Sequence, residues 1–107
     1  IIIFIMKFRE LVYNNISIKE ELKIEKILLN NGFYWLIDSE VEDASIEIIN
    51  KTIIWNSGNY YSGNWHYGIW KNGNFYGIWE NGIWENGNFS GKFLSGIMNH
   101  NTIEKKK

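Results

Sequence analysis

GIWKNGNFYG at residues 68–77 returns as GIWENGNFSG at 82–91, with IWEN (78–81) between the copies. Only Lys71/Glu85 and Tyr76/Ser90 differ, and the repeat distance is fourteen residues. Outward from this pair, glycines fall at 58, 63, 68, 73, 77, 82, 87, 91 and 96. Two residues after each comes a bulky side chain: Tyr60, Trp65, Trp70, Phe75, Trp79, Trp84, Phe89, Phe93 and Met98. Every unit is therefore Gly-x-large, and two steps of five with one of four make the fourteen-residue period.

Two architectures compete for this pattern. Asn-Gly pairs at 72–73, 81–82 and 86–87 are strong type I′ turn formers and point to a meander of hairpins. Strand lengths argue against it. Seven residues separate the first two pairs, but only Ile83, Trp84 and Glu85 separate the next two, too few for a strand in such a meander. The alternative is a small β-solenoid of about fourteen residues per coil, with three short sides and glycine at the corners. Coils spaced by roughly 4.8 Å then stack Tyr61, Phe75 and Phe89 in one column. Trp70, Trp84 and Met98 form the second, and Trp65, Trp79 and Phe93 the third. Asn72 lies over Asn86 and Asn74 over Asn88 as amide ladders, Lys71 over Glu85 and His66 over Glu80 as opposite charges. Three rings per coil is a large volume for a narrow interior, so outward-pointing rings or a flattened coil are the alternatives.

The preceding region reads as a cap. Residues 16–29, ISIKEELKIEKILL, carry helical periodicity, with Ile18, Leu22 and Leu29 near one side and Ile24, Ile27 and Leu28 widening the stripe. Ser17 and Glu20 fit a capping box with Ile16 as staple, and Asn30–Gly32 supply a stop. FYWLI (33–37) and a polar turn around 38–40 follow. Ile46 and Ile48 alternate with Glu47 as in a half-buried strand, and Ile53–Trp55 follow a bend near Asn50–Lys51. The expected fold is mainly β: a capping region over residues 1–57, the solenoid over 58–98 and a polar tail over 99–107. The apolar opening IIIFIM reads as a strand, or as residues ahead of a natural start at Met6; it lacks the flanks of a leader and the length to span a bilayer.

Composition agrees. The 107 residues are 45% hydrophobic and 21% charged, ordinary for one globular domain. Ala44 is the single alanine, while isoleucine, asparagine and aromatics abound, which favours strands over helical bundles. No cysteine is present, so neither a disulfide framework nor a thiolate metal site exists. A net charge of −1 gives no broad attraction for nucleic acid or an anionic membrane, and the lysines at 105–107 read as a solvated terminus.

The Gly-x-Trp/Phe units resemble the aromatic–glycine–asparagine repeats of bacteriophage structural and tail-associated proteins. They are also similar to pentapeptide repeats, with Gly73 two before Phe75 and Gly87 two before Phe89, although the four-residue steps at 73–77 and 87–91 depart from that pattern. Tyr61, Gly63, Trp65 and Gly68 share the spacing of membrane-occupation repeats. The phage resemblance implies a virion component or accessory protein, located in the virion or host cytoplasm.

No catalytic constellation emerges. His66 and His100 are thirty-four residues apart, Ser62 and Ser90 occupy turn positions, and the glycines lack a phosphate-loop lysine. Asp38, Glu40, Glu42 and Asp43 read as a solvated acidic loop. A non-enzymatic structural or assembly role without cofactors is the leading expectation, with a homo-oligomer or other structural proteins as partners. A carbohydrate- or protein-binding module is the alternative. The candidate surface comprises Tyr60, Tyr61, Tyr67 and Tyr76, together with Phe93, Leu94, Ile97 and Met98 at the less protected end.

Overall fold

The computed structural model describes residues 6–99; the opening run over residues 1–5, His100 and the rest of the polar tail with its lysines at 105–107 lie outside them. The order is β1 (Phe8–Tyr13), β2 (Ile16–Ile18), α1 (Glu21–Asn30), α2 (Tyr34–Ile37), β3 (Glu40–Ile49) and β4 (Thr52–Ser62). Eight two-residue strands follow: β5 (Asn64–Trp65), β6 (Ile69–Trp70), β7 (Asn74–Phe75), β8 (Ile78–Trp79), β9 (Ile83–Trp84), β10 (Asn88–Phe89), β11 (Lys92–Phe93) and β12 (Ile97–Met98).

These short strands stack in parallel at a fixed register, which is a β-solenoid. One side carries β4, β6, β9 and β12, the second β4, β7 and β10, and the third β5, β8 and β11. Each side is held by two backbone bonds per step. From Gly77 onward the residue after each glycine donates to the glycine carbonyl one coil below, as Ile83 does to Gly68 at 2.9 Å. The residue after each large side chain donates to its counterpart's carbonyl, as Glu85 does to Trp70 at 2.8 Å.

The Asn-Gly pairs therefore do not close hairpins. Gly73, Gly82 and Gly87 hold φ of 127°, 119° and 115°. The two real hairpin turns use Asn14–Asn15 and Asn50–Lys51, with φ between 49° and 64°, the left-handed values that a type I′ turn needs.

Register corrects one column. Tyr60, not Tyr61, lies under Phe75 and Phe89. The first coil is one residue longer, because Gly58, Gly63, Gly68 and Gly73 are separated by three steps of five. Subtracting fourteen from Phe75 therefore lands one residue late. Trp55 likewise underlies Trp70, so the solenoid draws its first ring from before residue 58. A single strand, β4, supplies two sides and turns the corner at Gly58.

β3 runs antiparallel along the whole of β4 and closes the first coil on two sides. It follows the corner through an irregularity at Asp43, whose φ is 58°. The chain's one alanine, Ala44, is fully buried there; a Cβ on Gly58 would lie 2.8 Å from its Cα. β1 then adds in parallel to β3, and β2 pairs antiparallel with β1. The third side is closed by α2, where Trp35 packs edge-on against Trp65 at 5.2 Å. FYWLI is thus mostly a helical turn that seats one ring under a column, with Trp35 and Leu36 buried.

α1 forms inside the expected segment but with a different inner face. Ile24 and Leu28 are buried and Ile27 is half-buried, whereas Leu22 is 80% exposed and Leu29 also faces solvent. The helix starts three residues later than Ile18, which lies in β2, so Ile18 cannot set its stripe. The capping box is absent as well. Glu20 is the N-cap without a side-chain bond, and Ser17 on β2 donates to Glu10.

Candidate functional site

The coil interior is solid with rings, and the Trp columns point inward. Trp65, Trp70, Trp79 and Phe75 have no solvent exposure. Volume is accommodated by two packing modes. Within a column the rings lie nearly parallel: Trp55–Trp70 at 4.7 Å and 7°, Trp65–Trp79 at 5.0 Å and 7°, Trp70–Trp84 at 4.9 Å and 12°. Those separations match the strand spacing. Between columns the rings meet edge to face, as Trp65–Trp70 do at 78° and Phe75–Trp79 at 84°. Both geometries suit the ring quadrupole and contribute about 0.5–1.5 kcal/mol per pair beyond area burial.

This packing has a cost. The indole N–H groups of Trp55, Trp65, Trp70, Trp79 and Trp84 are buried without an acceptor. Each such donor costs about 1–3 kcal/mol, and weak N–H···π attraction across the edge-to-face contacts is the compensation open to them.

Tyr60, expected on the outer surface, is instead fully buried at the base of its column. Its hydroxyl lies 2.6 Å from Ser39 Oγ, and Ser39 donates to the Trp35 carbonyl at 2.7 Å. With Ser39's one proton committed, the Tyr60 hydroxyl is the donor. Burial pushes the phenol far above its ordinary value of 10, outweighing the opposing effect of the Ser39 hydroxyl, which lowers it by turning to donate to the phenolate, and Glu80 adds a smaller upward push. The unfolded chain releases this proton near pH 10 while the folded chain retains it. Stability therefore holds below about pH 10 and falls above it, by roughly 1.4 kcal/mol per pH unit from this group. Urea melts between pH 8 and 11 check this: Tyr60→Phe is expected to flatten the alkaline decline, and an unchanged decline would remove Tyr60 as its cause.

The outer faces carry what remains of the candidate surface. Tyr61 and Tyr76 are 45% and 48% exposed, stacked at 6.0 Å and 20°. Beside them an amide ladder climbs one side: Asn88 donates to Asn74 and Asn74 to Asn59, both at 2.8 Å, and Asn59 donates to Glu42 at 3.3 Å. The expected Asn72–Asn86 ladder does not form; the Asn72 side-chain oxygen accepts from the Gly73 N–H instead. Tyr67 is 45% exposed but packs near Phe33 and Trp35 at 6.3 and 6.0 Å, so it belongs to the cap. His66 stacks on Trp35 at 5.2 Å and 7°. Among the described residues the ion pairs are Arg9–Asp43 and Lys23–Glu20, so neither His66–Glu80 nor Lys71–Glu85 closes.

The acidic cluster is a solvated turn only at Asp38, the exposed C-cap of α2. Glu40, Glu42 and Asp43 lie on β3, and each carboxylate is engaged: Glu40 accepts from Ser62 at 2.8 Å, Glu42 from the Tyr61 hydroxyl at 2.5 Å, and Asp43 pairs with Arg9. No group of His, Asp and Glu among the described residues has the arrangement to hold a metal ion. Glu40, Glu42 and Tyr61, with Lys7, Ser39 and Val41, line a groove of about 610 Å³. Sequence reading missed it because β3 and β4 pair across the hairpin, which joins residues about twenty positions apart.

At the far end, β10, β11 and β12 are the outermost strands of their ladders among the described residues. Ile97 is 66% exposed and Leu94 is exposed as well, while Phe93 and Met98 are half-buried. No described helix is long and apolar enough to cross a membrane. No protein-family model matches the chain, and neither a curated protein nor a solved structure does.

Proposed function

We propose that the protein is a non-enzymatic assembly module, a short rigid coil stack that acts through its outer faces and its last described coil. The observation that carries this reading is the ring-filled interior: columns of fully buried Trp and Phe fill the described coils, so other molecules are met on the outside. By the resemblance of the repeat, the setting is a phage-like particle, as a virion component or an accessory protein in the host cytoplasm. β3 and α2 cover the first coil, so self-association through the last described coil joins two copies there and gives two-fold dimers, not filaments.

Light scattering over a concentration series tests this. The expected result is a rise from monomer to dimer mass that Ile97→Asp and Leu94→Asp abolish. A wild-type chain that stays monomeric at every concentration would sink self-assembly.

A second reading, a carbohydrate-binding module, is favoured by one feature: the exposed Tyr61–Tyr76 stack beside oriented amide and carboxylate groups.

A further inference from the structure

We propose that the groove across the start of β3, between Lys7 and Tyr61 of β4, binds a neutral saccharide, with Tyr61 as its stacking wall and Glu40 and Glu42 as acceptors for its hydroxyls. This deepens the carbohydrate-binding reading and rests on it. The groove's roughly 610 Å³ falls within the range of small-molecule pockets.

Tyr61 is held ready. It sits in β4 where the register shift opposite Glu40 and Val41 skips it, its hydroxyl donates to Glu42 at 2.5 Å, and its ring is braced by Tyr76. A preordered aromatic wall loses little freedom when a ligand stacks on it.

The polar groups select the ligand. Glu40 and Glu42 are two apart on β3, so their side chains share one side of the strand. Each is anchored through one carboxylate oxygen, Glu40 by Ser62 and Glu42 by Tyr61 and Asn59. Among the described residues the second oxygen of each accepts no hydrogen bond. Lys7, the groove's cation, already donates to the Ile37 carbonyl at 2.6 Å.

A fitting ligand must offer several O–H donors and an apolar face, without negative charge. Sugar rings have both. Phosphorylated or acidic chains meet two carboxylates. A peptide offers one backbone N–H per residue where the free groups are side-chain acceptors.

The test is amide-shift mapping by NMR on the full chain, titrated with cellopentaose, chitopentaose and maltopentaose. A short neutral serine–valine peptide forms a further arm. The expected result is saturable shifts at Lys7, Ser39–Glu42 and Tyr61 with at least one sugar. Tyr61→Ala and Glu42→Gln are each expected to weaken binding about tenfold, and Tyr61→Phe, which keeps the ring, to weaken it less. The exposure of Tyr61 lets these variants keep the wild-type spectrum elsewhere, a control read in the same experiment.

Saturable sugar binding that ignores Tyr61→Ala and Glu42→Gln overturns the groove but leaves the carbohydrate reading standing. Shifts at Val41 with the peptide and none with any sugar overturn both, as does silence in every arm. The assembly reading is decided separately by light scattering.

Discussion

Gly87→Ala is expected to destabilise the protein by roughly 2–5 kcal/mol, among the largest effects of any single methyl group in this chain. A Cβ on Gly87 would lie 2.3 Å from the Gly73 carbonyl oxygen one coil below, an atom held by the Asn88 N–H. The backbone φ of 115° adds its own penalty. Left-handed strain contributes about 1–2 kcal/mol, and forcing packed neighbours apart about 1–3 kcal/mol. Gly91 separates the two causes. Its φ is not positive, yet its Cβ would lie 2.1 Å from the Gly77 oxygen, so Gly91→Ala is expected to cost roughly 1–3 kcal/mol from crowding alone.

Gly32→Ala is the control, with φ of 83° and nothing within 4 Å of the added carbon; strain alone costs about 1 kcal/mol there. Urea unfolding of the three variants measures the order Gly87, Gly91, Gly32. Equal small losses at all three would mean that the coils are not in contact at their corners.

Trp70→Ala carries the second large effect, about 3–5 kcal/mol. Trp70 is the middle of a three-ring pile, sandwiched by Trp55 and Trp84, with edge contacts to Trp65 at 5.6 Å and Phe75 at 5.4 Å. Its removal opens a cavity bounded by other rigid rings, which cannot collapse into it. Met98→Ala, at the half-buried top of the same column, is expected to cost far less. Denaturant midpoints compare the two. Equal losses would show that the column is not continuous.

Much of this architecture was legible because the repeat is a geometric constraint. A parallel stack with one bulky residue inward per side demands a small residue at each corner, and the Gly-x-large units state that demand in letters. Asn74 over Asn88 followed from the same arithmetic and is borne out by the 2.8 Å amide bond.

What stayed hidden depended on partners far away in sequence. Tyr60 and Tyr61 are adjacent and alike, and only the extra residue in the first coil decides which one faces inward. Leu22 and Leu29 fit an apolar stripe on paper, but the face of α1 that meets β1 is fixed by Ile24 and Leu28. Glu40 and Glu42 read as a solvated loop because their anchors, Ser62, Tyr61 and Asn59, lie on the next strand. His66 prefers the ring of Trp35 to an exposed charge pair, which is worth little in water.

The measurement that tests the coil most directly is through-hydrogen-bond scalar coupling in the ¹⁵N,¹³C-labelled protein. Correlations are expected from the Ile83 amide to the Gly68 carbonyl and from the Glu85 amide to the Trp70 carbonyl, repeating from Ile97 to Gly82 and Asn99 to Trp84. Correlations that instead join the segments on either side of Asn81–Gly82, pairing Trp79 with Trp84 as a hairpin would, contradict it.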